Sequence, residues 1–122
     1  MYRLKVISQF NAAHNLRGYK GKCESLHGHN WKVEVFVVSD KLDSLGMVID
    51  FKDLKKEVNR ILDDLDHKYL NEMEYFKQFN PSSENIARYI YTCLEGALNK
   101  DICKLEEIRV WETDTSCASY LG

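Results

Sequence analysis

His27-Gly28-His29-Asn30-Trp31-Lys32-Val33-Glu34-Val35-Phe36-Val37-Val38 is a stretch with a two-residue period. That period belongs to a strand, spanning roughly 29–38, with Trp31, Val33, Val35 and Val37 on the face of His29. Residues 2–10 alternate in the same way, with Leu4, Val6 and Phe10 on one side and Arg3, Lys5 and Gln9 on the other. If the extended chain continues, Ala12 and His14 keep the parity of Phe10. Residues 15–26 contain Gly18 and Gly21 among polar groups and read as a loop between the two strands.

Working outward, Asp40 to Gly46 is a turn-rich connection. Asp50 is placed to cap a helix over about 51–65, whose stripe is Phe51, Leu54, Val58, Ile61, Leu62 and Leu65. Asn80-Pro81-Ser82-Ser83-Glu84 signals a second helix with a serine cap and an acidic first turn. Its apolar face is Ile86, Ile90, Leu94 and Ala97, with Cys93 read as core filler beside it. Two short strands follow, near 105–113 and 116–121. The order ββααββ, without repeat or linker, predicts one α+β domain over 1–122: an antiparallel sheet with two helices on one face. Such a sheet has open edges, so association through strand edges is expected.

Composition sets the outer limits. The 122 residues are 44% hydrophobic and 30% charged, and 17 basic against 19 acidic groups leave a net charge of −2. Bulk electrostatics therefore offer nothing to nucleic acid or an anionic membrane. The longest clearly apolar run, Val35-Phe36-Val37-Val38, is far short of a membrane span, and Met1-Tyr2-Arg3-Leu4-Lys5 lacks the apolar core of a secretory signal. A cytoplasmic enzyme is the expectation. Cys23, Cys93, Cys103 and Cys117 show no close CxxC spacing, which argues against a disulfide framework.

The chemistry concentrates in His14 and Cys23-Glu24-Ser25-Leu26-His27-Gly28-His29. His27 and His29 point the same way from one strand, with Gly28 permitting close approach, and His14 lies on the neighbouring strand. Three neutral imidazoles suit zinc, copper, iron or nickel and leave one coordination position open. Cys23 is either a fourth ligand closing a structural site or an unbound thiol beside the metal, activated by its charge and by Arg17, Lys20 and Lys22. Those three cations either keep a loop hydrated or receive a phosphorylated substrate tail. His67, in Leu65-Asp66-His67-Lys68-Tyr69-Leu70, is either a residue placed at a helix C-terminus or a proton relay. An Asp66–His67 contact requires irregular backbone, because adjacent side chains on a regular element diverge. Glu112 shares strand parity with Ile108 and Val110. It is either a strand-end carboxylate reaching water or an anchor for a flat heterocycle with two parallel N–H groups.

These residues resemble the 6-pyruvoyl-tetrahydropterin synthase superfamily, and most closely its branch that makes 6-carboxy-5,6,7,8-tetrahydropterin for queuosine (7-deazaguanine) biosynthesis. The blocks that carry the resemblance are Phe10 to His14, Cys23 to His29, Val48-Ile49-Asp50-Phe51, Leu65 to Asn71, Asn80 to Asn85, and Trp111-Glu112-Thr113. The three-residue gap between Cys23 and His27 is similar to the queuosine branch. The resemblance implies a tunnelling (T-) fold whose sheets join into a barrel, usually as a homohexamer built from two trimers. It implies zinc on His14, His27 and His29, and Cys23 as general base. Asp66 and His67 would form a relay reaching the thiol from a neighbouring subunit. Glu112 would hold the pterin's amino-pyrimidine edge, assisted by Ser82, Ser83 and Glu84. The implied reaction converts 7,8-dihydroneopterin triphosphate to 6-carboxytetrahydropterin, with release of acetaldehyde and triphosphate. The rival product within the family is 6-pyruvoyl-tetrahydropterin. The rivals outside it are a non-catalytic zinc protein and a hydrolase using metal-bound hydroxide.

Overall fold

A computed structural model of the chain describes residues 1–22 and 24–122. The elements are β1 (Tyr2–His14), β2 (His27–Ser39), α1 (Phe51–Asp63), β3 (Lys68–Tyr69), a 3-10 turn (Leu70–Glu72), α2 (Glu74–Gln78), α3 (Ser83–Ala97), β4 (Lys104–Thr113) and β5 (Ser116–Tyr120). Among the described residues the strands form one sheet in the order β3-β1-β2-β4-β5. β1–β2, β2–β4 and β4–β5 pair antiparallel, as alternation implied. The two-residue β3 adds a parallel pairing, Ala12 with Lys68 and Ala13 with Tyr69, that no periodicity of two residues could announce. The short α2 and the 3-10 turn likewise add to the two expected helices.

The core is the alternating face of the sheet against α1 and α3. Val6, Phe10 and Ala12 from β1 and Trp31, Val33, Val35 and Val37 from β2 bury with Leu105, Ile108 and Val110 from β4. Leu54, Val58, Ile61 and Leu62 close over them from α1, and Ile86, Ile90 and Leu94 from α3. Both helices start where side-chain oxygens capture free amides: Asp50 accepts from the Lys52 N–H and Ser82 from the Asn85 N–H.

Two core expectations fail. Phe51 is 52% exposed, at the first residue of α1, where it borders an open recess with Tyr2, Leu4 and Val48. Cys93 is exposed while Cys103 is buried. The buried arc of α3 is rotated toward Ala87 and Tyr91, which leaves Cys93 on its outer flank, and Cys103 fills the core beside Leu98 and Leu105.

α1 leads into a turn that ties the helix layer back to β1. Asp66 Oδ1 accepts from the Asn11 N–H at 2.8 Å, and the His67 N–H donates to the Asn11 carbonyl at 2.5 Å. His67 takes φ +57, a left-handed conformation that costs about 1 kcal/mol or more for a non-glycine residue. This irregularity is what lets neighbours meet: Asp66 Oδ2 stands 2.8 Å from His67 Nδ1. The Asn11 amide first, and then the His67 ring, hold the Asp66 carboxyl below the usual carboxylate range.

Leu54→Ala should cost about 2–5 kcal/mol in urea unfolding and Phe51→Ala less than about 1 kcal/mol. Comparable losses would contradict the placement of Phe51. Because the folded Asp66 carboxyl titrates below its unfolded value, its contribution is present above the ordinary carboxylate range and disappears as pH falls through the folded value. The gap in urea midpoint between the wild type and Asp66→Asn should therefore be widest at neutral pH and close in acid.

Candidate metal centre

The β1–β2 register sets His14 directly opposite His27 and Ala12 opposite His29. The three rings therefore gather at one end of the sheet, above Trp31, whose ring centroid lies 4.9 Å from that of His14 and 5.1 Å from that of His29. Trp31 is itself fully buried and donates through Nε1 to the Ala12 carbonyl at 3.3 Å. The His27 and His29 rings stand 4.7 Å apart between centroids, an approach that does not require the glycine between them. A Cβ at that position would find only the Ala12 carbonyl, at 3.9 Å.

Backbone carbonyls decide which nitrogens are free. His14 Nδ1 stands 2.6 Å from the Pro81 carbonyl and His27 Nδ1 2.8 Å from the Ser25 carbonyl. A carbonyl only accepts, so each Nδ1 carries the proton and each Nε2 keeps a lone pair. Those two Nε2 atoms face one another at 3.1 Å. Two bare lone pairs at that distance repel unless a cation or a proton sits between them. His29 Nε2 is buried without a hydrogen-bond partner, and burial first of all pushes the His29 pKa down, keeping the ring neutral. An orphaned ring nitrogen beside two converging ones is the donor arrangement a divalent metal satisfies. One ligand atom each from His14, His27, His29 and Glu112 all lie within 4.8 Å of one another.

Glu112 reaches the cluster through an irregularity. The β4–β5 register shifts between Trp111 and Thr113, so Glu112 occupies a bulge, a device that re-aims a side chain at a strand end. Glu112 Oε1 stands 3.4 Å from His29 Nε2, close enough for an ion pair but without hydrogen-bond geometry. Its other oxygen accepts from Ser83 Oγ at 3.2 Å. Ser83, Glu84 and Glu112 line a common recess of about 350 Å³ that also includes Thr113 and Cys117. Ser82 is spent on the α3 cap.

His67 stands outside the four-residue cluster. Its side chain is 78% exposed and lines an open recess with Asn11, Gly28, His29 and Lys68. Cys23, the expected base, lies outside the described residues. The loop around it is held at Asn15: Asn15 N–H donates to Asn71 Oδ1, Asn71 Nδ2 to the Asn15 carbonyl, and Asn15 Nδ2 to the Glu24 carbonyl. Sequence reading missed Asn15, which follows His14, and Asn71, which lies within the 3-10 turn. It also missed Pro81 and Ser25, which act through carbonyls that no residue type marks.

The family model described as 6-pyruvoyl tetrahydropterin synthase matches residues 3–122. The chain is 34% identical to a Haemophilus influenzae 6-carboxy-5,6,7,8-tetrahydropterin synthase, over 98% of this chain and 99% of that one. It is 40% identical to a protein of the same description from Synechocystis, over 93% and 88% of the two chains. Among solved structures, the Caenorhabditis elegans 6-pyruvoyl tetrahydropterin synthase superposes with a TM-score of 0.86 at 29% identity, covering 99% of this chain and 95% of its own. The T-fold expected for the subunit is thereby borne out. Continuous from β1 to β5, with its three histidines at the sheet end, the chain belongs to the 6-pyruvoyl tetrahydropterin synthase family.

Proposed function

We propose that the chain is a zinc-dependent lyase that converts 7,8-dihydroneopterin triphosphate and one water to 6-carboxy-5,6,7,8-tetrahydropterin, releasing acetaldehyde and triphosphate on the route to queuosine. The observation that carries the reading is the pair of converging Nε2 atoms at 3.1 Å, beside the orphaned His29 Nε2 and a carboxylate that faces a recess. The descriptions of the relatives at 34–41% identity name the product, a 6-carboxytetrahydropterin.

In this reading His14, His27 and His29 hold the metal. Zinc bound there supplies Lewis acidity toward the oxygens of the substrate side chain. The chain's own residues do the rest. Glu112 receives the amino-pyrimidine edge, its two oxygens matching two parallel N–H groups, with Ser83 and Glu84 beside it. Ser82 contributes by fixing the start of α3. Cys23 takes a proton from the substrate side chain as general base. Asp66 holds the Nδ1 proton of His67, which leaves the far ring nitrogen of an exposed imidazole to exchange protons. Such exposure suits a relay that serves the site of a neighbouring subunit. The edge strands β3 and β5 offer the hydrogen-bonding groups through which sheets of adjacent subunits would close a barrel, as a homohexamer in the cytoplasm. The whole chain acts as one domain.

The family model and the nematode structure carry the 6-pyruvoyl description, which favours one second reading: the same substrate with 6-pyruvoyl-tetrahydropterin as product. Incubated with dihydroneopterin triphosphate, the purified protein should release acetaldehyde in step with triphosphate. Triphosphate without acetaldehyde selects the second reading, and neither product rejects both. Cys23→Ala should slow turnover by about 10²–10⁴-fold with its metal retained. Unchanged turnover in that variant would instead indicate a metal-bound hydroxide as the base.

A further inference from the structure

His29 Nε2 and Glu112 Oε1 stand 3.4 Å apart, and the pair across from them, His14 Nε2 and His27 Nε2, stands 3.1 Å apart. Four ligands on a tetrahedral zinc with bonds of about 2.0–2.1 Å are separated by about 3.3–3.4 Å along each edge. Each of the two measured separations is close to the length of such an edge. All four donor atoms fall within 4.8 Å of one another. The alternative, a direct His29–Glu112 hydrogen bond, is not made, since His29 Nε2 has no hydrogen-bond partner although the carboxylate stands beside it. His29 and Glu112 instead each offer a ligand atom to the same four-residue group as His14 and His27.

We infer that Glu112 is the fourth ligand of the resting metal centre, and that it leaves the metal when a heterocyclic ring enters the recess. The first half rests on the geometry alone; the second rests on the pterin reading given above. Ser83 Oγ holds Oε2 at 3.2 Å, so only Oε1 is turned to the metal, a one-oxygen ligand oriented by an outer hydrogen bond. The same carboxylate borders the recess with Ser83 and Glu84 and sits on a bulge rather than in the ladder. A carboxylate that accepts two parallel N–H groups turns both oxygens to the ring edge, which then competes with the metal for Oε1. Ring recognition thereby uncovers the coordination position that the substrate side chain needs, and an empty site keeps that position covered. By linkage, metal and ring oppose one another at Glu112, whereas ring and any small fourth ligand assist one another.

The full-length protein loaded with cobalt(II) tests this by its visible spectrum during titration with imidazole, a neutral probe. Glu112→Ala should bind imidazole at least about tenfold more tightly than the wild type. Equal affinities overturn the assignment of Glu112 as a ligand. In the wild type alone, saturating unsubstituted pterin, which has no side chain to reach the metal, should tighten imidazole binding toward the value of the variant. Bound pterin that leaves imidazole affinity unchanged overturns the exchange while sparing the lyase reading. Failure of pterin to bind at all overturns both.

Discussion

His14 and His27 turn their Nε2 atoms to each other across 3.1 Å, while two peptide carbonyls, Pro81 and Ser25, face the opposite ring nitrogens and accept their N–H groups. This contact is unfavourable without positive charge between the rings, and it is held by covalent and backbone constraints rather than by the rings themselves. The β1–β2 register makes the two residues direct cross-strand partners, and a slip of one residue would turn one ring to the other face. Burial of Val6, Phe10, Trp31, Val33 and Val35 on the same face opposes that slip. The stability of the core and the placement of the three histidines thus depend on one alternation.

The helix layer contributes at its starts and turns rather than along its length. The start of α3 brings the Pro81 carbonyl to His14 and Ser83 to Glu112, so a single N-terminus both selects a tautomer and aims a carboxylate. The turn after α1 spends a left-handed His67 to bring Asp66 and His67 together and to bind both to Asn11. Site and scaffold meet where the backbone departs from regular geometry.

That division explains what could be read from the residues. Strand alternation carried His14 to the face of Phe10, and the HxH spacing put His27 and His29 together, because both depend on a fixed period. Asp50 and Ser82 were legible as caps because the oxygen that caps belongs to the residue type. The parallel β3, the bulge at Glu112 and the conformation of His67 had no period to betray them. Phe51 and Cys93 misled because a stripe of apolar residues defines an arc but neither its ends nor its centre, which Ala87 and Tyr91 pull around on α3. The ring tautomers follow from carbonyls supplied by Pro81 and Ser25, and a carbonyl is common to every residue.

The central claim is that three imidazole nitrogens grip a divalent ion whose remaining position is not sealed by sulfur. Zinc-edge X-ray absorption on the protein as purified measures this directly. The account predicts stoichiometric metal with only nitrogen and oxygen neighbours at about 2.0–2.1 Å, three of them imidazoles. A sulfur neighbour at about 2.3 Å, or protein that folds and retains no divalent metal, would contradict it.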